Sequence, residues 1–216
     1  MIARIVRACV VLMLVAAAAN AQDRRLATRL DSATASAVSR IVDSVRAVGL
    51  PAETLVGVAL EGASRRAPSE TIVGAVREYA SALGVARQTL GDAAASDEIV
   101  SAAGVLMAGV SSRVVGEYRA ARPTSSITVP LVVLADLIAR GVPADTAAKA
   151  LGDALRNGVR DDQLAELRRR IERDILAGAR PATAMTIRTQ DLPGVTTPGR
   201  VVRPPSRPRF RRPGPG

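Results

Sequence analysis

The chain has no histidine, no tryptophan and one cysteine, Cys9. Its aromatic side chains are Tyr79, Tyr118 and Phe210, and Lys149 is its one lysine. Each scarcity excludes something. Without histidine there is no Ser-His or Cys-His nucleophile pair, no His-ligated haem and no zinc site of the usual Cys/His kind. Chemistry is left to carboxylates, hydroxyls, guanidinium groups and one amine. So few rings give little surface for stacking on sugars or bases. A core built here must be Ala, Val, Leu and Ile, side chains small enough to let helices approach closely.

What is present begins with an export pattern. Arg4 and Arg7 precede an unbroken apolar run over residues 8–19, too short to cross a bilayer comfortably. Ala19-Asn20-Ala21 then supplies small residues ahead of a cut before Gln22. Residues 1–21 are expected to be a cleavable signal peptide, the alternative being an apolar helix retained as core or anchor. Cys9 lies inside the run and not beside the cut, so the expected product is soluble, free of thiols and periplasmic or extracellular. Cleavage leaves 195 of the 216 residues, enough for one domain with a real core.

Charge is unevenly placed. The full chain carries +10, and loss of Arg4 and Arg7 makes it +8. Six of those charges come from Arg200, Arg203, Arg207, Arg209, Arg211 and Arg212, with no acid after Asp191, so residues 22–191 are only about +2. The same stretch holds Pro193, Pro198, Pro204, Pro205, Pro208, Pro213 and Pro215. Residues 191–216 are expected to be a disordered, polyproline-like basic tail. The six arginines and Phe210 are the candidate residues for binding an anionic surface. At an anionic membrane each cation contributes about 1 kcal/mol, less in salt. A solubilising terminus with no dedicated partner is the other reading of the tail.

Between leader and tail, apolar residues recur at three- and four-residue spacing. In the segment after Asp161, Leu164, Leu167, Ile171 and Ile175 share one stripe. Helices are expected at 24–48, 51–65, 68–90, 96–121, 126–140, 143–157 and 160–178, with a short turn at 181–188. The apolar stretches 99–110 and 129–139 should be the most buried. Gly49-Leu50-Pro51-Ala52-Glu53-Thr54 returns as Gly141-Val142-Pro143-Ala144-Asp145-Thr146, a corner in which glycine ends one helix and proline opens the next. A shift of 92 residues also carries Glu70 to Asp162, Ile72 to Leu164 and Arg77 to Arg169 without a gap. This register suggests an internal duplication of units at about 38–90 and 130–182, against the alternative that helix-turn chemistry arose twice. The expected fold is therefore all-α: an array or irregular bundle of about seven short-to-medium helices over residues 22–190.

Candidate chemistry is thin. Asp97-Glu98 and Asp161-Asp162 are paired acids at helix starts, where carboxylates have an ordinary electrostatic role. Glu61, Glu78, Glu117 and Asp136 lie within helices and would need to converge on a cleft to catalyse. No glycine-rich phosphate loop is present. The expectation is an exported, non-enzymatic helical protein, without cofactor or metal, that works by surface contact in the cell envelope. Its partner would be an anionic envelope surface or another envelope protein, and neither nucleic acid nor a transmembrane span after cleavage is expected. A helical domain that binds lipid or a small molecule is the alternative, with a carboxylate-based enzyme behind it. Oligomeric state is not legible in the sequence.

Overall fold

The computed structural model describes residues 25–192, and within them the fold is all-α, with no strand among the described residues. A helical turn at 25–27 leads into nine helices: α1 (Ser32–Ala47), α2 (Glu53–Ser64), α3 (Ser69–Leu90), α4 (Ser96–Met107), α5 (Ser112–Ala121), α6 (Thr128–Ala139), α7 (Ala144–Arg156), α8 (Asp161–Leu176) and α9 (Pro181–Gln190). The expected signal peptide at 1–21 and the tail arginines at 200–212 lie outside the described residues.

The helices form two rows. α1, α3, α5, α7 and α9 pack each on the next, and α4, α6 and α8 do likewise beside them. α2 sits against α1 and α3, while α3–α4, α6–α7 and α8–α9 join the rows. Every substantial contact is between helices one or two apart in the chain, which is the local contact pattern of a stacked array. One continuous apolar core runs through it, with Leu55, Leu83, Ile99, Leu134, Leu151 and Leu164 fully enclosed. The stretches at 99–110 and 129–139 do supply buried faces, and α4 packs directly on α6.

Six of the eight connections between helices use one device. At Gly49, Arg66, Gly109, Gly141, Gly158 and Gly178 the backbone turns left-handed, with φ between 55° and 95°. In each case this residue's N–H donates three residues back, and the next N–H donates five residues back. For Gly141 the acceptors are Ile138 and Leu137, at 2.9 and 3.0 Å. This is the Schellman cap, which satisfies carbonyls that a helix end leaves free. The following residue, as at Val110, Val142 and Val159, then folds into the core. Five of the six positions are glycine. Arg66, at φ 55°, is the exception and carries the strain of a side chain in a region that costs about 1 kcal/mol.

The observed helices differ from the expected ones where a local cap interrupts the apolar periodicity. The first does not run from 24 to 48. Asp31 interrupts it by accepting from the Thr34 N–H at 2.9 Å and the Thr34 hydroxyl at 2.6 Å, so that α1 begins afresh at Ser32. Asp31 also accepts from the Ser69 hydroxyl at 2.9 Å, which pins the start of α1 to the start of α3. The expected helix over 96–121 is two, because Gly109 sits at φ 87° and closes the cap on α4. The turn at 181–188 is a full helix opened by Pro181. These changes give nine helices among the described residues in place of about seven. α3 runs unbroken through Gly84 to Leu90, with Gly91 as its C-cap.

The 92-residue shift holds for several helix limits. The ends of α1 and α2 map onto the ends of α6 and α7, and the start of α3 onto the start of α8. Buried Val42, Val45, Leu55, Val56, Ala59 and Ile72 map onto buried Leu134, Leu137, Ala147, Ala148, Leu151 and Leu164. The third helices then diverge. A Cβ on Gly62 would come within 2.9 Å of Ile72 Cγ1, so glycine permits α2 and α3 to close together. Alanine, Ala154, stands at the corresponding place in α7, where α9 packs against both α7 and α8.

The corners make a paired prediction. Arg66→Gly should stabilise the fold by up to about 1 kcal/mol, and Gly141→Ala should destabilise it by about 1–2 kcal/mol, read as midpoint shifts in urea at constant slope. If the two substitutions change stability in the same direction, backbone conformation does not govern these corners.

Candidate functional site

The most enclosed charged centre lies where α4, α5 and the loop before α6 meet. Asp97 and Glu98 occupy the first turn of α4, as helix-start acids should. Their fates differ. Asp97 stays at the surface and accepts from the Thr128 hydroxyl at 3.1 Å. Glu98 turns inward, its side chain only 7% exposed, and Oε1 accepts from the Ile127 N–H at 2.9 Å and from the Arg119 guanidinium. Burial raises the Glu98 carboxyl pKa, but hydrogen bonds from Ile127 and Arg119 outweigh it and hold the group below the ordinary glutamate range.

Arg119 extends the network. It also donates to the carbonyls of Arg122 at 3.2 Å and Ser125 at 3.1 Å, fixing the loop. Arg122 in turn donates to the Asp161 carboxylate and to the Val159 carbonyl, reaching the corner that opens α8. A groove of about 460 Å³ beside Glu98 is lined by Leu90, Asp97, Arg119 and Ser125. A second, of about 480 Å³, lies on the other side of Ser125 among Arg122, Asp161 and Asp162.

A second charged cluster joins α6 to α8. Asp136 Oδ2 accepts from Arg140 at 3.1 Å and Arg168 at 2.8 Å, and Arg140 also pairs with Glu172 at 2.8 Å. Burial raises the Asp136 pKa, and the two guanidinium partners more than reverse that, leaving it lowered.

These centres were not visible as such in the sequence. Glu98 and Asp161 were readable only as helix-start acids, and Arg119 and Arg122 carried no signal. The other acids are dispersed. Glu61 and Glu117 are exposed and pair with Arg65 and Arg113, one turn away on their own helices. Glu78 is exposed on α3. Glu53 and Asp145 occupy the first turns of α2 and α7. Tyr79 and Tyr118, alike in local sequence, separate: Tyr118 is fully buried and donates to the Ala148 carbonyl at 2.9 Å, while half-buried Tyr79 reaches the Val100 carbonyl at 3.4 Å. Burial raises the pKa of both phenols.

Chemically, Glu98 and Asp136 are carboxylates held ionised and committed to donors that join helices. A general acid needs the opposite, a carboxyl kept protonated near neutral pH. Among the described residues no group of three or more Cys, Asp or Glu is placed to hold a metal ion, and no helix is long and apolar enough to cross a membrane. Arg200, Arg203, Arg207, Arg209, Phe210, Arg211 and Arg212 fall outside the described residues. Compared with known protein families, curated proteins and solved structures, the chain matches none.

Glu98→Ala leaves Arg119 and the Ile127 N–H without their acceptor, and should cost about 2–4 kcal/mol by denaturant titration. Stability should also fall in acid. Asp31, drawn down to about 2 by the Thr34 and Ser69 bonds, and Glu98 and Asp136, both lowered, are depressed in the folded state relative to ordinary values of 3.8 and 4.5. Their stabilisation is complete above those ordinary values and is lost as pH falls through them toward 2. A melting temperature that is flat from neutrality down to about pH 2.5 contradicts this linkage.

Proposed function

We propose that this is an exported, non-enzymatic helical protein that acts by surface contact in the cell envelope, with its basic tail as an electrostatic tether to anionic polymers or lipids. The observation that carries the reading is the division of charge. The helical part is close to neutral and pairs its buried carboxylates with arginines for structural ends, whereas residues 200–212 gather six arginines with no acid. The leader pattern at 1–21 supports an address outside the cytosol, where the polyanions at hand are lipid head groups, phosphorylated glycolipids and wall polymers.

An internal duplication supports the contact role. Units at about 38–90 and 130–182 descend, in this reading, from one three-helix ancestor, since corner, helix limits and buried positions recur at a single shift. Two related units in one array present related surfaces side by side, a form suited to extended contact rather than to a single enclosed active site.

The test is co-sedimentation of the mature chain with phosphatidylglycerol vesicles and with isolated cell walls, alongside a form ending at Leu192. Removal of the tail should reduce binding at low salt by at least about tenfold, and 0.5 M salt should abolish the difference. Equal binding with and without the tail disposes of the tether.

A further inference from the structure

We infer that the folded helices carry a second anion site, independent of the tail: a groove at the start of the array, built around Arg25 and Arg29, that takes a phosphate ester. The groove encloses about 540 Å³ and is lined by Arg25, Thr28, Arg29, Leu60, Ala63 and Ser64. Among the described residues its lining holds no carboxylate, unlike three other grooves of the array. The others include Asp162, Glu166 and Asp191, or Asp97 and Glu98, or Asp161 and Asp162.

Most arginines of the described residues pair with an acid, as Arg119, Arg140, Arg168 and Arg188 do. Arg25 and Arg29 have no carboxylate within ion-pair distance among the described residues. The chain around them is ordered as a turn: the N–H groups of Arg29 and Leu30 both donate to the Leu26 carbonyl, and Leu26 is buried. Four residues apart on that turn, Arg25 and Arg29 both line the groove. The Thr28 and Ser64 hydroxyls donate to the Arg25 and Glu61 carbonyls, so the guanidinium groups supply the free donors.

Arg66 is an independent pointer to this place. Its N–H donates to the carbonyl of Ala63, a groove residue, and it is the one corner of the six that holds a left-handed arginine where the others hold glycine. It too is exposed and lacks a carboxylate partner among the described residues. A strained arginine two residues after Ser64, which lines the groove, is accounted for if its charge is used. The ligand chemistry follows from the donors. A carboxylate can accept from two guanidinium groups, as Asp136 does, but a phosphoryl group brings a third oxygen and a higher negative charge to the same pair of forks. Leu60 and Ala63 give the groove an apolar side for the esterified part.

The test uses the full-length mature chain, 15N-labelled, titrated with inorganic tripolyphosphate and separately with vesicles of phosphatidylglycerol or phosphatidylcholine. The amide signals of Thr28, Arg29, Ala63 and Ser64 should shift saturably with tripolyphosphate. Arg25→Gln/Arg29→Gln should weaken that binding at least about tenfold, the loss expected from removing two charge-assisted contacts. Arg66→Gly should weaken it while raising the unfolding midpoint, a combination that a purely structural residue does not give. Replacing the six tail arginines by glutamine should leave these amide shifts unchanged, so failure of the tether and failure of the groove are read separately. Response to phosphatidylglycerol vesicles alone assigns the phosphate to a lipid head group, and response to tripolyphosphate assigns it to a soluble ester. No response to either probe, an unchanged affinity in Arg25→Gln/Arg29→Gln, or an equal loss in the paired-arginine control Arg169→Gln/Arg173→Gln overturns the site.

Discussion

The left-handed residue at the end of a helix is the constraint from which this architecture follows. Once the backbone crosses to positive φ, two hydrogen bonds close the helix and the next side chain is driven back against it. The direction of the departing chain is then fixed within three residues. Six repetitions, from Gly49 to Gly178, lay successive helices back and forth in two rows. A core with almost no aromatic bulk is held by this means: small apolar side chains fill it because the helices are brought close and kept at set angles.

The two connections that lack this cap are held by arginine instead. After α3, Arg87 donates to the Asp92 carbonyl at 2.9 Å and reaches the Gly49 carbonyl at 3.4 Å, tying the turn to the first corner. After α5, Arg119 and Arg122 gather the loop against Glu98, Asp161 and three backbone carbonyls. The buried carboxylate is therefore part of the same construction as the glycines. It orders the longest connection, where no left-handed residue does so.

Much of this was legible in the sequence, and the failures have physical causes. The Gly49 and Gly141 corners could be read because proline and an acid follow the glycine, so three local preferences agree. Gly109 was not, since Gly104 and Gly116 flank it within a stretch of helix formers, and only its φ separates it from them. Asp31 is hard to read as a cap because an acid inside an apolar periodicity looks like a wet face, although its side chain bonds Thr34 in the manner of a helix start. Glu98 was placed on the right turn of the right helix. Its inward rotation depends on Arg119, twenty-one residues on, and on a backbone N–H further still, which no local pattern encodes.

Function rests on address. In the proposed reading, a chain without histidine, with Cys9 in the expected leader and its enclosed carboxylates Glu98 and Asp136 bonded to arginines, works as a surface that meets other surfaces. That argument requires passage out of the cytosol and removal of the leader. The most direct measurement is intact-mass and amino-terminal analysis of the protein recovered from fractionated cells of its own host. The account predicts material outside the inner membrane that begins at Gln22. Cytosolic material that still carries Met1 and Cys9 contradicts it.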